Sequence, residues 1–554
     1  MDFRKIDKRM SIYMKKAVAV LISVLLLSAG LFGCSSDGTG AQIVFPVDIE
    51  PQYLDPQIVS ENGAVNIVLN CYEGLVTYNE KGEIVPAGAE SFDVSGDGLT
   101  YTFKLREDAK WKASSYAKKL FGDGGYDKFD NRVTAKDYVF AFERICDSET
   151  ASPSYPFVSC VKNAEKVHSG TLSKESLGVR AEGDFTLVVE LERKNSDFLE
   201  ALTAPACVPC NEEFFELTKG RYCLSVANML SNGPFYITNW ADGTAITARQ
   251  NDLYHSSVSP SSVYFSFNNE KKTRGEKVES GVYEFSPVSK SQAAALSKSK
   301  SVGVAGVQNS CFALLFNCSG ELLKNSDLRK AFAFSLDKSL FEGEKTVEAC
   351  AGIVPSLCLA DSASYRQRVG RLSLPETDSQ KAKEYLQSAK EKLGVKTIAL
   401  SVLCSTENEM TVRKALQLWQ SVFGVESNIS VEAVDEATLE ERIQSGDFSL
   451  AFSSVTFKSA SALKTLGCFS QDSSENIFRF SSKRFESLLL SARSAENARV
   501  LLSSLKKAEQ YLTDNAVMVP ICEEESFFAS AKGVSGVVVS PGGEYVYFKN
   551  TVKK

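Results

Sequence analysis

The chain contains one long apolar run, and it stands at the front. AVAVLISVLLLSAGLF, Ala17 to Phe32, follows Lys15 and Lys16 and ends at Gly33-Cys34. A short basic stretch followed by an apolar stretch of this length is the pattern of a secretory signal, not of a spanning helix. The shape is already complete from Met14 onward. No later segment reaches the roughly 18–20 apolar residues that a membrane span needs. The 521 residues behind Gly33 are therefore expected to fold as a globular body outside the cytoplasm.

The cysteine directly behind the apolar run has the placement of a bacterial lipoprotein box, in which the thiol receives a diacylglycerol and becomes the new N-terminus. Leu31 and Gly33 fit the box, and Phe32 is bulkier than usual at its position. Cys34 is accordingly the expected lipidation site; the alternative is an ordinary cleaved signal. Each buried CH₂ of an acyl chain adds roughly 0.8 kcal/mol of membrane affinity, so two or three chains anchor stably. Residues 34–40, beginning Cys34-Ser35-Ser36, then read as a tether.

Apolar residues make up 44% of the 554 positions and charged residues 24%, an ordinary globular balance that suggests two to four lobes. Residues 1–33 carry six basic and two acidic side chains, a net +4 that leaves −11 on the rest. An acidic body argues against nucleic acid as a partner, because neutralising phosphates needs a basic face. The chain has two histidines, His168 and His255. Histidine is the commonest metal ligand and the usual acid/base near neutral pH. A His-rich metal site is thus excluded, and no G-x-S-x-G nucleophile elbow occurs. No cofactor and no catalytic residue is expected. Thirteen cysteines follow Cys34, an odd number that cannot all pair; they read as small buried apolar side chains. Cys207-Val-Pro-Cys210 has redox or metal spacing but stands alone.

No repeat of 20–50 residues is visible, and helix and strand patterns are mixed. Thr134 and Asp137 have capping-box spacing before a helix whose Tyr138, Phe142 and Ile145 share a face. Ser379 is a candidate cap for a helix carrying Ala382, Leu386, Ala389 and Leu393 and closed by Gly394. Val412, Leu416, Trp419 and Phe423 form another stripe, and Leu501, Leu505, Ala508 and Leu512 a last one. Leu99–Leu105 and Phe185–Leu191 alternate as strands, and Ala399–Leu403 reads as a buried strand. Asp93-Val-Ser-Gly-Asp-Gly98 begins like a calcium loop but has Lys104 where a bidentate Glu belongs. Glu523-Glu524-Glu525 reads as a solvated acidic turn.

In their order, these segments resemble the oligopeptide- and dipeptide-binding proteins of extracytoplasmic solute-binding protein family 5, the receptors of ABC importers. The resemblance rests on Leu54-Asp55-Pro56, Tyr72-Glu73-Gly74-Leu75, Ile84 to Phe92, Asp97 to Arg106 and Lys110-Trp111. It continues through Val133 to Phe140, Ser231-Asn232-Gly233-Pro234-Phe235, Asn251-Asp252-Leu253-Tyr254, Asp327-Leu328-Arg329-Lys330-Ala331-Phe332 with Asp337-Lys338, Ala508 to Leu512, and Val519-Pro520. These blocks are collinear over nearly the whole body.

The resemblance implies an α/β fold of the periplasmic-binding-protein type II kind: two α/β lobes joined by a two-strand hinge, with an inserted α+β domain. Lobe I would span 41–73, 206–306 and 515–554, its insert 74–205, and lobe III 307–514. It also implies a function: a lipid-anchored receptor that closes on an oligopeptide and delivers it to a membrane permease and ATPase. Alternatives are a receptor for a non-peptide solute (an oligosaccharide or a metal chelate) and a peptide sensor without a transporter. By position in the family, Ser60, Glu61 and Asn62 approach the ligand cleft, as do Phe452, Ser453, Ser454 and Thr456. Peptide-binding members carry an aromatic followed three residues later by an Asp that meets the peptide's α-ammonium. Here Ser453 and Thr456 hold those two places. A buried ammonium without a counter-charge costs several kcal/mol. Either another acid, with Glu61 as the candidate, replaces the Asp, or the ligand has no free amine.

Overall fold

The computed structural model describes residues 40–554, apart from 61, 196, 268–269, 342–348, 362 and 425–426 and the side chains of Asn62 and Lys272. The signal segment 1–33, Cys34 and most of the tether lie outside the described residues.

Three sheets carry the fold. In the first, Gln42–Pro46 runs parallel to Ser262–Ser266, which continues antiparallel to Ala245–Gln250 and Phe235–Ala241. The second is wholly antiparallel, in the order Ala89–Val94, Thr100–Leu105, Thr186–Glu190, Val179–Ala181. The third has six strands: Phe285–Val288, Met518–Ala531, Val302–Phe316, Leu450–Thr456, Ile398–Ser405 and Ser427–Val434. Its last three pair in parallel, in keeping with the helices Glu409–Phe423 and Glu436–Ser445 that connect them.

Two strands of the third sheet are exceptional. Val302–Phe316 and Met518–Ala531 have 15 and 14 residues, where five or six is usual, and they pair antiparallel along nearly their whole length. One end of the pair, Cys311–Phe316 with Met518–Cys522, is buried in a core with Phe332, Trp419 and Phe452. The other end reaches a different environment. Phe528 packs with Phe45 and Phe265, and Ala529 and Ala531 pack with Val278, Tyr283 and Leu296. The ladder is interrupted between Val307 and Ser310, where the burial of the strand also changes. An irregularity of this kind lets a strand bend without ending.

Local signals account for most helices. Thr134 and Asp137 form the expected capping box, with the Thr134 N–H donating to Asp137 Oδ2 at 2.7 Å, and Tyr138, Phe142 and Ile145 are buried. Val412, Leu416, Trp419 and Phe423 face the core, as do Leu501, Leu505, Ala508 and Leu512. One cap is displaced by a residue. Asp378, not Ser379, caps Ser379–Leu393, its carboxylate accepting from the N–H groups of Gln380 and Lys381. A carboxylate interacts more strongly than a hydroxyl with the positive end of a helix. The acidic run 523–525 is also not a turn. It lies within Met518–Ala531, where Glu523 is buried and accepts from Ser356 N and Oγ, and Glu524 pairs with Lys290 at 2.6 Å. Cys207 and Cys210 are free thiols, and burial pushes both up to about 12.

The capping carboxyl of Asp137 gives a pH prediction. Burial raises it to about 6, against the opposing hydrogen bonds from Thr134 and Asn211. The folded protein holds this proton more tightly than the unfolded chain. Its stability contribution is therefore complete below about pH 4 and is lost as pH rises through 6, by about 3 kcal/mol in all. Asp137→Asn is expected to remove this slope. Urea midpoints of both proteins at pH 4.5 and 7 should show the wild type losing ground to the variant; parallel midpoints would contradict the assignment.

Candidate functional site

A cavity of about 1460 Å³ separates the two ends of the molecule. One wall brings Val47, Val59, Val65 and Phe528 from the core around Phe45; the other brings Val455, Phe457 and Phe478 from the core around Trp419. Charged side chains of both signs line it, including Arg193, Lys290 and Arg493 with Asp197, Glu200 and Glu544.

The walls are held by buried polar clamps built on the sequence blocks. Arg144 grips Asp55 with two bonds, Nη1–Oδ1 at 3.0 Å and Nη2–Oδ2 at 2.6 Å, and donates to Gln57 Oε1 at 2.5 Å. Gln57 in turn donates to the carbonyls of Ala206 and Val208. The helix Asn62–Cys71 follows. Asn66 and Asn70, one turn apart, read the backbone of the C-terminal segment as a neighbouring strand would. Their Oδ1 atoms accept from Val546 N (2.7 Å) and Phe548 N (2.9 Å), and Asn70 Nδ2 donates to Val546 O (2.8 Å). This fixes residues 542–546 along the cavity. Glu73 receives Tyr254 Oη and lies 2.6 Å from His255 Nε2, with Asn232 bonding its main chain on both sides. In the other core, Glu509 binds Arg366, Tyr365 and the Val354 N–H.

The cleft residues expected from sequence fall in different places. Ser60, Ser453, Ser454 and Thr456 line the cavity. Phe452 does not: it is fully buried, its ring stacked 4.8 Å from Phe341 and 5.9 Å from Trp419. The strand Leu450–Thr456 leaves the core only in its last residues, so Phe452 serves packing. Glu61 and the side chain of Asn62 lie outside the described residues. Thr456 Oγ1 rests 2.9 Å from Ser310 Oγ, a neutral hydroxyl pair where peptide-binding relatives were expected to present an acid. Ser454 donates to Glu524.

Other cavity residues gave no local signal. Asn309 donates to Gly542 O at 2.7 Å. Gly542 packs so closely on Lys458 that a Cβ would fall 1.9 Å from its carbonyl oxygen. Burial raises the carboxyl of Glu544, opposed by the nearby Lys458. Across the mouth, Ser459 Oγ donates to Glu200 Oε1 at 2.5 Å, Ser461 Oγ donates to Asp197, and Lys464 Nζ lies 3.5 Å from Glu200 Oε1. Only the Pro541-Gly542-Gly543 turn could have marked one of these positions from sequence.

A mixed α/β frame with two cores on shared long strands and a water-facing cleft between them defines a solute-binding protein of the periplasmic-binding-protein type. The chain belongs to the bacterial extracellular solute-binding proteins, family 5, whose profile matches residues 83–476. It is 26% identical over 510 residues to the dipeptide-binding protein DppE of Bacillus subtilis, covering 89% of each chain. It is also 26% identical over 527 residues to the probable deoxycholate-binding periplasmic protein YgiS of Escherichia coli, covering 90% of this chain and 91% of that one. The substrate-binding domain of an oligopeptide ABC transporter from Bacillus anthracis superposes with a TM-score of 0.71 at 25% identity, covering 94% of this chain and all of that one. The family consists of extracytoplasmic binding proteins, not enzymes. No helix among the described residues is long and apolar enough to cross a membrane.

Proposed function

We propose that this protein is the receptor of an ABC importer. It is anchored by a lipid on Cys34 to the outer side of the cytoplasmic membrane, takes an oligopeptide into the cleft and passes it to a permease and its ATPase. Lobe I, residues 41–73, 206–306 and 515–554 with the insert 74–205, closes on lobe III, residues 307–514, about the two long strands. Ligand favours the closed form and so shifts the population toward it. The observation that carries the peptide reading is the cleft's charge. A zwitterionic chain needs both signs along a hydrated channel, and Arg193 and Arg493 together with Glu544 supply them. An extended peptide gains affinity through main-chain hydrogen bonds while its side chains occupy roomy pockets. Glu544 is then the acid that meets the ligand amine, in place of the Asp absent at Thr456.

The neutral Thr456–Ser310 pair favours a second reading, a non-peptide solute. Native mass spectrometry of residues 35–554, purified without denaturation, separates the two. Retained adducts that fragment into short peptides are expected. Adducts of a sterol, sugar or chelate mass would replace the peptide by a different ligand class.

A further inference from the structure

We propose that Cys311 and Cys350 are a disulfide-forming pair that closes after export. Their sulfurs lie 3.1 Å apart in the core of the third sheet, and both side chains are almost wholly buried. Carbon atoms in good non-bonded contact sit about 3.5–4.0 Å apart, and sulfur is larger. The two thiols are therefore already pressed together, and a shift of about 1 Å reaches the S–S bond length of about 2.05 Å.

The backbone holds both partners in place. Cys311 lies on Val302–Phe316, opposite Glu523 on one neighbouring strand and Val455 on the other. Cys350 arrives on a separate segment docked beside the same sheet: its N–H donates to Ile521 O at 3.2 Å, and Ala349 bridges to Cys522. The side chain of Lys338 stands near both thiols, and burial pushes its ammonium down. Burial, with Cys350 and Glu523 alongside, raises the Cys311 thiol well above its ordinary value, so the closed core itself disfavours the attacking thiolate.

The bond forms by exchange with an external disulfide, either a small molecule or the active site of an oxidoreductase. One protein thiolate attacks the external disulfide and releases its first thiol. The second protein thiolate attacks the resulting mixed disulfide and releases the other. Two electrons and two protons leave the protein, and the external disulfide ends as two thiols. Because both sulfurs are buried, exchange occurs while this core is folding or locally open. Outside the cytoplasm conditions permit it, whereas the cytoplasm keeps thiols reduced. The closed bond would tie the segment around Cys350 to the strand shared by both cores and raise the thermal midpoint by a few degrees.

The test uses the exported protein, isolated without reductant and alkylated in denaturant. The expected result is two fewer alkylated thiols than the thirteen present behind Cys34, with all thirteen alkylated after reduction. Tryptic mapping should give one linked species joining the peptides of Cys311 and Cys350. Cys311→Ser and Cys350→Ser should each leave every remaining thiol free, and the wild-type map decides the question if either variant fails to fold. Thirteen alkylated thiols after incubation with oxidised glutathione, or a link through the neighbouring Cys522, would overturn the proposal.

Discussion

Replacing Asp55 or Arg144 by alanine is expected to destabilise the protein by about 3–5 kcal/mol, the usual cost of removing one partner of a buried ion pair. Both side chains are buried, and the guanidinium uses both arms on the carboxylate while lying 4.4 Å from the Phe215 ring centroid. Asp55→Ala strands the cation among Gln57 Oε1, Cys210 Sγ and the Phe215 ring; Arg144→Ala strands the carboxylate. The pair joins the chain entering the Asn62–Cys71 helix to the helix Ala135–Cys146, so its loss loosens one wall of the cleft. Urea unfolding followed by tryptophan fluorescence reads the effect. The double replacement Asp55→Leu/Arg144→Met should cost less than either alanine variant, because no charge is then left unpaired. A loss below about 1 kcal/mol in both single variants would show that water reaches the pair.

The second large effect concerns binding. Glu200→Ala removes two contacts across the cleft mouth at once, from Ser459 Oγ and from Lys464 Nζ. A hydrogen bond to a charged group contributes about 1.5–3 kcal/mol. If, as proposed, these contacts belong to the closed form alone, losing them weakens ligand binding about 10- to 100-fold. The change should appear as faster dissociation, with the unfolding midpoint of ligand-free protein unmoved. Ser459→Ala, which keeps the lysine contact, should fall between, and its affinity should fall as salt screens that contact. Titration calorimetry at two salt concentrations measures both. An unchanged affinity in Glu200→Ala would mean that closure does not depend on this clasp.

Much of the scaffold was legible because it is local. The spacing of Tyr138, Phe142 and Ile145, or of Val412, Leu416 and Trp419, needs only a helical period and a core to face. The sequence blocks were legible as landmarks but silent about their work. Asp55 meets Arg144, Arg329 holds the carbonyls of Asn515 and Ala516, and Glu509 binds Arg366. Partners so far apart in the chain leave no trace in spacing. The same reason hid the cleft. Ser453, Ser454 and Thr456 could be placed there because a strand end opens onto it, yet Phe452 went inward because depth along a strand is set by the neighbouring helix and not by alternation. Asp197, Glu200, Glu544 and Gly542 come together only through the fold, as do Cys311 and Cys350.

The contact at Gly542 has a consequence for how such a receptor can diversify. There the two walls meet main chain against main chain, with no side chain between. In the closure proposed above, this contact is a stop set by main-chain geometry, which substitutions elsewhere in the cleft leave intact. On that proposal, substitutions among the hydroxyls and charges facing the solute change the cargo and leave this stop in place. A side chain at Gly542 would meet the Lys458 carbonyl and so move the stop itself.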